Sequence, residues 1–279
     1  MEFEKYLKVN AQKIESATNK LLAEFLKDAQ KTNPKLVPFA KALINSCTGG
    51  KGIRGVLCVL GFELTGGRDK EIYKIGAAFE ILHAALLIHD DIMDQSLTRR
   101  GKPSLHQVLG GKHYGLSQAI SMGDIGLYLP IKIICETGFS SAVKLNVIKQ
   151  FSQIIINTGW GQVMDVLTTQ QKPSLNDLKF INTYKTAKYT IAGPMIIGAI
   201  LGGGEKLSKF LDQFGENLGI AFQLKDDILD NEAKNQEKTW DQAQEYVQKA
   251  KNLIPKLTKD EARAKLLNKM SDYIIERSK

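Results

Sequence analysis

Proline is scarce, with 7 in 279 residues. They fall at Pro34, Pro38, Pro103, Pro130, Pro173, Pro194 and Pro255, so two long stretches, Pro38 to Pro103 and Pro194 to Pro255, contain nothing that must break a helix. Strand signatures are lacking as well. No series of short alternating Val/Ile/Thr runs is punctuated by Asn-Gly or Asp-Gly turns, which excludes a β-sandwich or barrel reading. The three cysteines, Cys47, Cys58 and Cys135, form no C-x-x-C pair and include an odd one. This argues against a disulfide framework and for a reducing compartment, so a cytoplasmic protein is expected. No stretch reaches the roughly 18 uninterrupted apolar residues of a membrane span. The start MEFEKYLKVN is acidic and amphipathic and lacks the apolar core of a leader. The expectation is an all-α protein that is not integral to a membrane.

The balance of 43% hydrophobic and 24% charged residues is ordinarily globular. With no low-complexity linker and no solenoid repeat, residues 1–279 read as a single domain, one large helical bundle. Lysine plus arginine number 38 against 30 acidic residues, a net charge of +8. Such an excess suits nucleic acid, an anionic membrane surface or an anionic small substrate. Nucleic acid is set aside, because there is no aromatic–basic interleaving and no recognised motif. Apolar periodicity predicts helices over the first thirty residues, Asp69 to about Gln95, Tyr114 to Glu136, Ala142 to Thr169, Leu175 to Ile200, Glu205 to Asn231, Gln242 to Leu253 and Asp260 to Arg277. Ser174 to Asp177 reads as an N-cap and first turn, and Arg99 to Pro103 as a polar exit loop.

Two aspartate clusters stand out: Asp90-Asp91-Ile92-Met93-Asp94 and Asp226-Asp227-Ile228-Leu229-Asp230. Positions i, i+1 and i+4 of a helix lie within an arc of roughly 100°, so the three carboxylates of each cluster can project into one space. Like charges that close repel, and at a helix C-terminus they oppose the macrodipole. A hard divalent cation offsets this, and oxygen-only ligands favour Mg²⁺ shared with substrate phosphates. One such cluster is as readily a solvated helix end. Two, each embedded in apolar sequence (LLIHDDIMD and AFQLKDDILD), are harder to dismiss. Neither has the glycine and glutamate spacing of an EF-hand. Cationic partners lie nearby in Arg99-Arg100-Gly101-Lys102. Gly49-Gly50-Lys51-Gly52-Ile53-Arg54 places a glycine loop at a helix N-terminus, an anion-binding arrangement without the Walker A pattern. Alone, that loop would be a simple turn, Lys185 a solvated surface lysine, and His83 a core histidine.

The chain resembles the trans-type isoprenyl diphosphate synthases, the polyprenyl synthetase family. The resemblance rests on GGKGIRG (Gly49–Gly55), DDIMDQSLTRRGKP (Asp90–Pro103), Gly123-Asp124, GQVMD (Gly161–Asp165), YKTAKY (Tyr184–Tyr189) and FQLKDDILD (Phe222–Asp230). It implies a helical bundle around a central cavity, with the two aspartate clusters facing each other across its mouth. Asp90, Asp91, Asp94, Asp226, Asp227 and Asp230 would hold three Mg²⁺ on an allylic diphosphate, with Mn²⁺ as a substitute, and Arg99 and Lys185 would grip that diphosphate. Lys51, Arg54, His83 and Arg100 would bind isopentenyl diphosphate. Gln162, Asp165, Thr186 and Gln223 would be supporting polar groups. The resemblance further implies a homodimer. In short-chain members an aromatic residue four or five positions before the first cluster closes the product pocket. Leu86 and Ala85 occupy those positions here, which points to products of twenty carbons or more, with Phe79 as a deeper floor if it faces the cavity.

The family pattern is interrupted after Asp230. NEAKNQEKTW leads quickly to a tail, DYIIERSK, that resembles the family's C-terminus. A region shortened after about residue 230 is therefore expected, with Lys234 and Lys238 as candidate lid lysines or simply a solvated charge run. The competing reading is a weakly active or regulatory subunit of a prenyl diphosphate synthase. Six intact aspartates argue against complete loss of catalysis.

Overall fold

The computed structural model describes residues 2–229 and 235–276. In chain order the helices are α1 (Phe3–Thr32), α2 (Val37–Ser46), α3 (Ile53–Leu64), α4 (Ile72–Met93), α5 (Leu105–Val108), α6 (Lys112–Glu136), α7 (Ser141–Thr168), α8 (Leu175–Ile181), α9 (Gly193–Leu201), α10 (Ser208–Leu229), α11 (Gln236–Lys251), α12 (Ile254–Leu257) and α13 (Glu261–Glu276). The all-α expectation holds. Among the described residues, strand is confined to a hairpin of β1 (Thr98–Arg99) and β2 (Lys102–Pro103), which replaces the expected exit loop. Its turn residues, Arg100 and Gly101, have φ of +53° and +74°, the sign pattern of a type I′ turn. Arg100 carries the strain that glycine would avoid.

Two further departures have local causes. The helix expected over Leu175–Ile200 is three segments, because an 11-residue π-helix, Asn182–Ala192, joins α8 to α9. The helix expected from Gln242 begins at Gln236, capped by Asn235, whose side chain accepts the Lys238 amide. The cap read at Ser174 is present as a reciprocal capping box with Asp177.

The chain forms two compact units. One comprises Ala11–Val56 and Lys70–Gly138. Its axis is α4, packed along α6, with Leu43, Ile88, Ala119 and Met122 in one core cluster and Leu22, Ala78, Ile81 and Ile133 in another. The leucine, isoleucine and methionine side chains among these each stabilise by about 1.5–3 kcal/mol on full burial. α4 is long and apolar enough to span a bilayer, yet most of its apolar residues are buried in this core. Its C-terminus is a Schellman turn. Ser96 N donates to Asp91 O (2.8 Å) and Gln95 N to Ile92 O (3.3 Å), with Gln95 left-handed at φ +52°. The first aspartate cluster therefore sits on a firmly terminated helix end.

The other unit comprises Met1–Asn10, Leu57–Asp69 and Phe139–Lys279. There the π-helix packs against both α7 and α10. A Cβ on Gly161 of α7 would lie 2.4 Å from the Lys185 backbone nitrogen, and one on Gly219 of α10 would lie 2.2 Å from the Ala187 Cβ. Only glycine permits these approaches.

Candidate active site

Each unit carries one aspartate-bearing helix end with its cationic companions. In the α4 unit, Asp90 and Asp91 lie in the last turn, Asp91 almost fully buried. The hairpin brings Arg99 back onto them. Its Nε donates to Asp91 Oδ1 at 2.8 Å and its Nη2 to Asp90 Oδ2 at 3.1 Å. Partial burial opposes the guanidinium charge, but the two carboxylates outweigh it and hold the arginine pKa above its ordinary value. Arg99 thus offsets the repulsion that the adjacent aspartates create. Asp94 is the exposed C-cap residue, and its amide donates to Asp90 O. Asp90, Asp91 and Asp94 do not close a cage by themselves, since no three acidic, histidine or cysteine side chains converge as a metal site among the described residues. That donor set still fits Mg²⁺, a hard cation that normally completes its coordination with water and phosphate oxygens.

The glycine loop departs from its expected role. Gly49 and Gly52 have φ of +79° and +68° and turn the chain into α3. The amide of Gly55, in the first turn of α3, donates to Glu80 Oε1 of α4 at 2.9 Å, and the Arg54 amide contributes to holding the same carboxylate. The anion at this helix N-terminus is the protein's own Glu80, which takes the amides that the sequence reading assigned to an external anion. As a residue Glu80 is partly exposed, but its carboxylate is enclosed by protein. Burial raises its pKa, against the lowering effect of the Gly55 amide and of the Arg54 and Arg100 charges.

His83 lies one turn further along α4. Its pKa is held well below the ordinary histidine value, first by burial and then by Arg54, Arg100 and Arg99. It is neutral near pH 7, able to take part in hydrogen bonds but carrying no charge. Lys51 is exposed and Arg54 partly so. Arg100 Nη1 reaches Thr48 O at 3.4 Å, back onto the glycine loop. Ala85 is fully buried facing α6, where a Cβ on Gly126 would lie 2.8 Å from its own, while Leu86 is partly buried. Phe79 is wholly buried.

In the α10 unit, Asp226 and Asp227 are partly buried near the end of α10, and Gln223 donates to Asp227 Oδ1 at 3.0 Å. Asp230 and Lys234 lie outside the described residues. The π-helix presents Lys185 and Thr186, both partly buried. Lys185 Nζ donates to Asp165 Oδ2 of α7 at 2.5 Å, joining two residues read separately from the sequence.

Sequence reasoning passed over Glu80 and His89. Glu80 is the single acidic residue between Ile72 and His89, a signal in itself. His89 Nε2 lies 3.3 Å from Ile120 O and 3.5 Å from Asp124 Oδ1, and a Cβ on Gly123 would lie 2.3 Å from that nitrogen. The Gly123-Asp124 pair is thereby explained: the glycine admits the ring that the aspartate and carbonyl hold.

Solved structures share the fold. A geranylgeranyl pyrophosphate synthase from Corynebacterium glutamicum, complexed with isoprenyl diphosphate and magnesium, aligns with a TM-score of 0.82 at 20% identity over 99% of this chain and 100% of that one. A geranyltranstransferase from Thermotoga maritima aligns at 0.77 with 26% identity, over 96% of this chain and 99% of that one. In sequence, the geranylgeranyl diphosphate synthase of Sulfolobus acidocaldarius is 34% identical over 200 residues, 70% of this chain and 58% of that protein. A chloroplastic geranylgeranyl pyrophosphate synthase of Catharanthus roseus is 36% identical over 198 residues, 68% of this chain and 54% of that protein. The chain thus spans about half the length of the curated relatives it matches. The polyprenyl synthetase family model matches residues 37–270, and the chain belongs to the polyprenyl synthetase family.

Proposed function

We propose that the protein is a trans-prenyltransferase that condenses isopentenyl diphosphate head-to-tail with an allylic diphosphate, giving a prenyl diphosphate of twenty carbons or more. The observation that carries this reading is the assembly on α4: paired carboxylates Asp90 and Asp91 at a capped helix end, held by Arg99, with Arg54 and Arg100 close enough to act on His83 and Glu80 of the same helix. Bound Mg²⁺, three ions per site with Mn²⁺ as a substitute, supplies charge neutralisation for the leaving diphosphate. Arg99 and Lys185 orient the allylic diphosphate, and Lys51, Arg54, His83 and Arg100 hold isopentenyl diphosphate beside it. The allylic carbon–oxygen bond breaks with its electron pair leaving on the diphosphate. The double bond of isopentenyl diphosphate attacks the allylic carbon, and loss of a proton restores an alkene. Apolar side chains exclude water from the cation. Geranylgeranyl diphosphate synthases among the relatives support twenty carbons as the shortest main product.

Association into a homodimer is supported by exposed apolar side chains on α7, Leu145, Ile156, Trp160 and Val163. Three free cysteines fit a reducing, cytoplasmic setting. A regulatory or weakly active subunit is the second reading, favoured by the region read as shortened after residue 230. Incubation with Mg²⁺, isopentenyl diphosphate and labelled allylic diphosphates separates the two. A labelled prenyl product of twenty carbons or more is expected, and its absence with every allylic primer overturns the enzymatic reading.

A further inference from the structure

In the α4 unit, five cationic residues cluster along two short segments: Lys51 and Arg54 in the glycine loop and α3, and Arg99, Arg100 and Lys102 in the hairpin. The acidic group that α4 sets against two of them, Arg54 and Arg100, is Glu80. Its Oε1 accepts the Gly55 amide at 2.9 Å, as an N-cap side chain would, although it comes from 25 residues away. Its Oε2 lies 3.7 Å from where a Cβ of Gly50 would stand, and Arg100 Nη1 lies 3.9 Å from that same point. Glu80 and Arg100 therefore both flank Gly50 of the glycine loop, to which Arg100 is also tied through Thr48 O. The hairpin turn holds Arg100 at φ +53°, a conformation a non-glycine residue adopts at a cost. The charges of Arg54 and Arg100 both act on the Glu80 carboxylate.

We propose that Glu80 is the positioning residue of the isopentenyl diphosphate subsite: by capping α3 at the Gly55 and Arg54 amides and attracting the Arg100 guanidinium to the same side of Gly50, it fixes Arg54 and Arg100 in the arrangement that receives the diphosphate. The proposal rests on the prenyltransferase reading above. It differs from a plain electrostatic account in the sign of its consequence. A negative charge among cations weakens anion binding if charge alone matters, so its removal would tighten binding. As a positioning group, its removal weakens binding.

The test compares wild type with Glu80→Ala and Glu80→Gln. The measurements are kcat, the KM for each substrate, and calorimetric titration with inorganic diphosphate in magnesium-free buffer. Glu80→Ala is expected to raise the KM for isopentenyl diphosphate about tenfold, the scale of one lost charge-assisted hydrogen bond. The KM for the allylic substrate should stay within about twofold on the same scale. Glu80→Gln keeps an oxygen for the Gly55 amide and should recover part of the loss. If Glu80→Ala does not fold, the Glu80→Gln comparison decides, with a selective rise of roughly threefold in the same KM expected. Two results overturn the proposal: diphosphate binding as tight as or tighter than wild type, or a fall in kcat with both KM values unchanged, the mark of a structural role. If the wild-type chain makes no prenyl product, the enzymatic reading fails separately, and the inorganic diphosphate titration alone decides the role of Glu80.

Discussion

Two glycines on one helix should respond in opposite ways to the same substitution. Gly159 and Gly161 both lie inside α7. A Cβ on Gly159 meets nothing within 4 Å, whereas one on Gly161 lies 2.4 Å from Lys185 N, 2.8 Å from its Cα and 2.9 Å from its Cβ. Gly159→Ala gains only helix propensity, about 0.8–1 kcal/mol. Gly161→Ala gains the same amount but must push the π-helix backbone away by roughly an ångström, an overpacking cost of about 1–3 kcal/mol or more. That shift also moves Lys185 relative to Asp165, whose contact is 2.5 Å. For a chain of this size 1 kcal/mol corresponds to about 2–4 °C in Tm. Thermal unfolding should show Gly159→Ala melting about 2–3 °C higher and Gly161→Ala several degrees lower. In a prenyl transfer assay Gly161→Ala should lose at least tenfold in kcat/KM for the allylic substrate, a loss of about 1.4 kcal/mol, with Gly159→Ala near wild type. Equal Tm and equal activity for the two variants would show that α7 and the π-helix do not approach as described and would refute the reasoning.

Turnover should require Mg²⁺ or Mn²⁺ and stop with a chelator, and Asp90→Ala or Asp226→Ala should lower it by orders of magnitude; chelator-resistant turnover, or near-normal rates in both variants, rejects the metal assignment. Gln95→Gly should stabilise the protein by up to about 1 kcal/mol in denaturant unfolding, because glycine accepts the left-handed C-terminal position of α4 without steric cost. Because the folded His83 resists protonation, the unfolded chain binds the extra proton first as pH falls below about 6.5. Wild type should therefore lose stability from pH 7 towards the depressed folded pKa. His83→Gln should lose less over that window, and parallel curves contradict the burial argument. Ala85→Phe should shorten the product seen by chromatography of the dephosphorylated alcohols and lower Tm through the Gly126 contact, whereas Leu86→Phe should shorten it with a smaller thermal cost. A mainly fifteen-carbon alcohol from the unmodified protein defeats the chain-length argument.

The helical class and most helix spans were legible because they follow from apolar periodicity over long proline-free stretches. What was illegible is either a local turn without its usual residues or a contact between residues far apart in the chain. Arg99 to Pro103 carries no hairpin signature, since Arg-Gly is a weak type I′ pair and Arg100 sits there under strain. The π-helix has nearly the same apolar pattern as an α-helix. Its presence is tied to the close approaches of Gly161 and Gly219, whose partners cannot be read from sequence. The helix-end aspartates were readable from residue type and spacing, but the pairing of Asp165 with Lys185 crosses 20 residues and two elements. Glu80 was passed over, although a lone acid on an apolar helix is a signal the sequence carries. Its role as the cap of α3 required the fold.

The site groups are already engaged with one another. Arg99 holds Asp90 and Asp91, Lys185 holds Asp165, Gln223 holds Asp227, and Glu80 holds the start of α3. Pairing matters most for Asp91, whose side chain is almost fully buried and would be costly there without a partner, and less for the partly exposed Lys185 and Asp165. On the proposed reading, metal and diphosphate binding would be an exchange of partners: cation for Arg99 at the carboxylates, phosphate oxygen for carboxylate at Lys185. Exchange makes the net affinity a difference between two sets of charge-assisted bonds, and it makes geometry decisive over charge count. Removing one partner frees the other but also removes the restraint that aimed it. On this logic the substitutions that matter most are those that move a paired side chain by an ångström, as at Gly161, rather than those that change the net charge of +8.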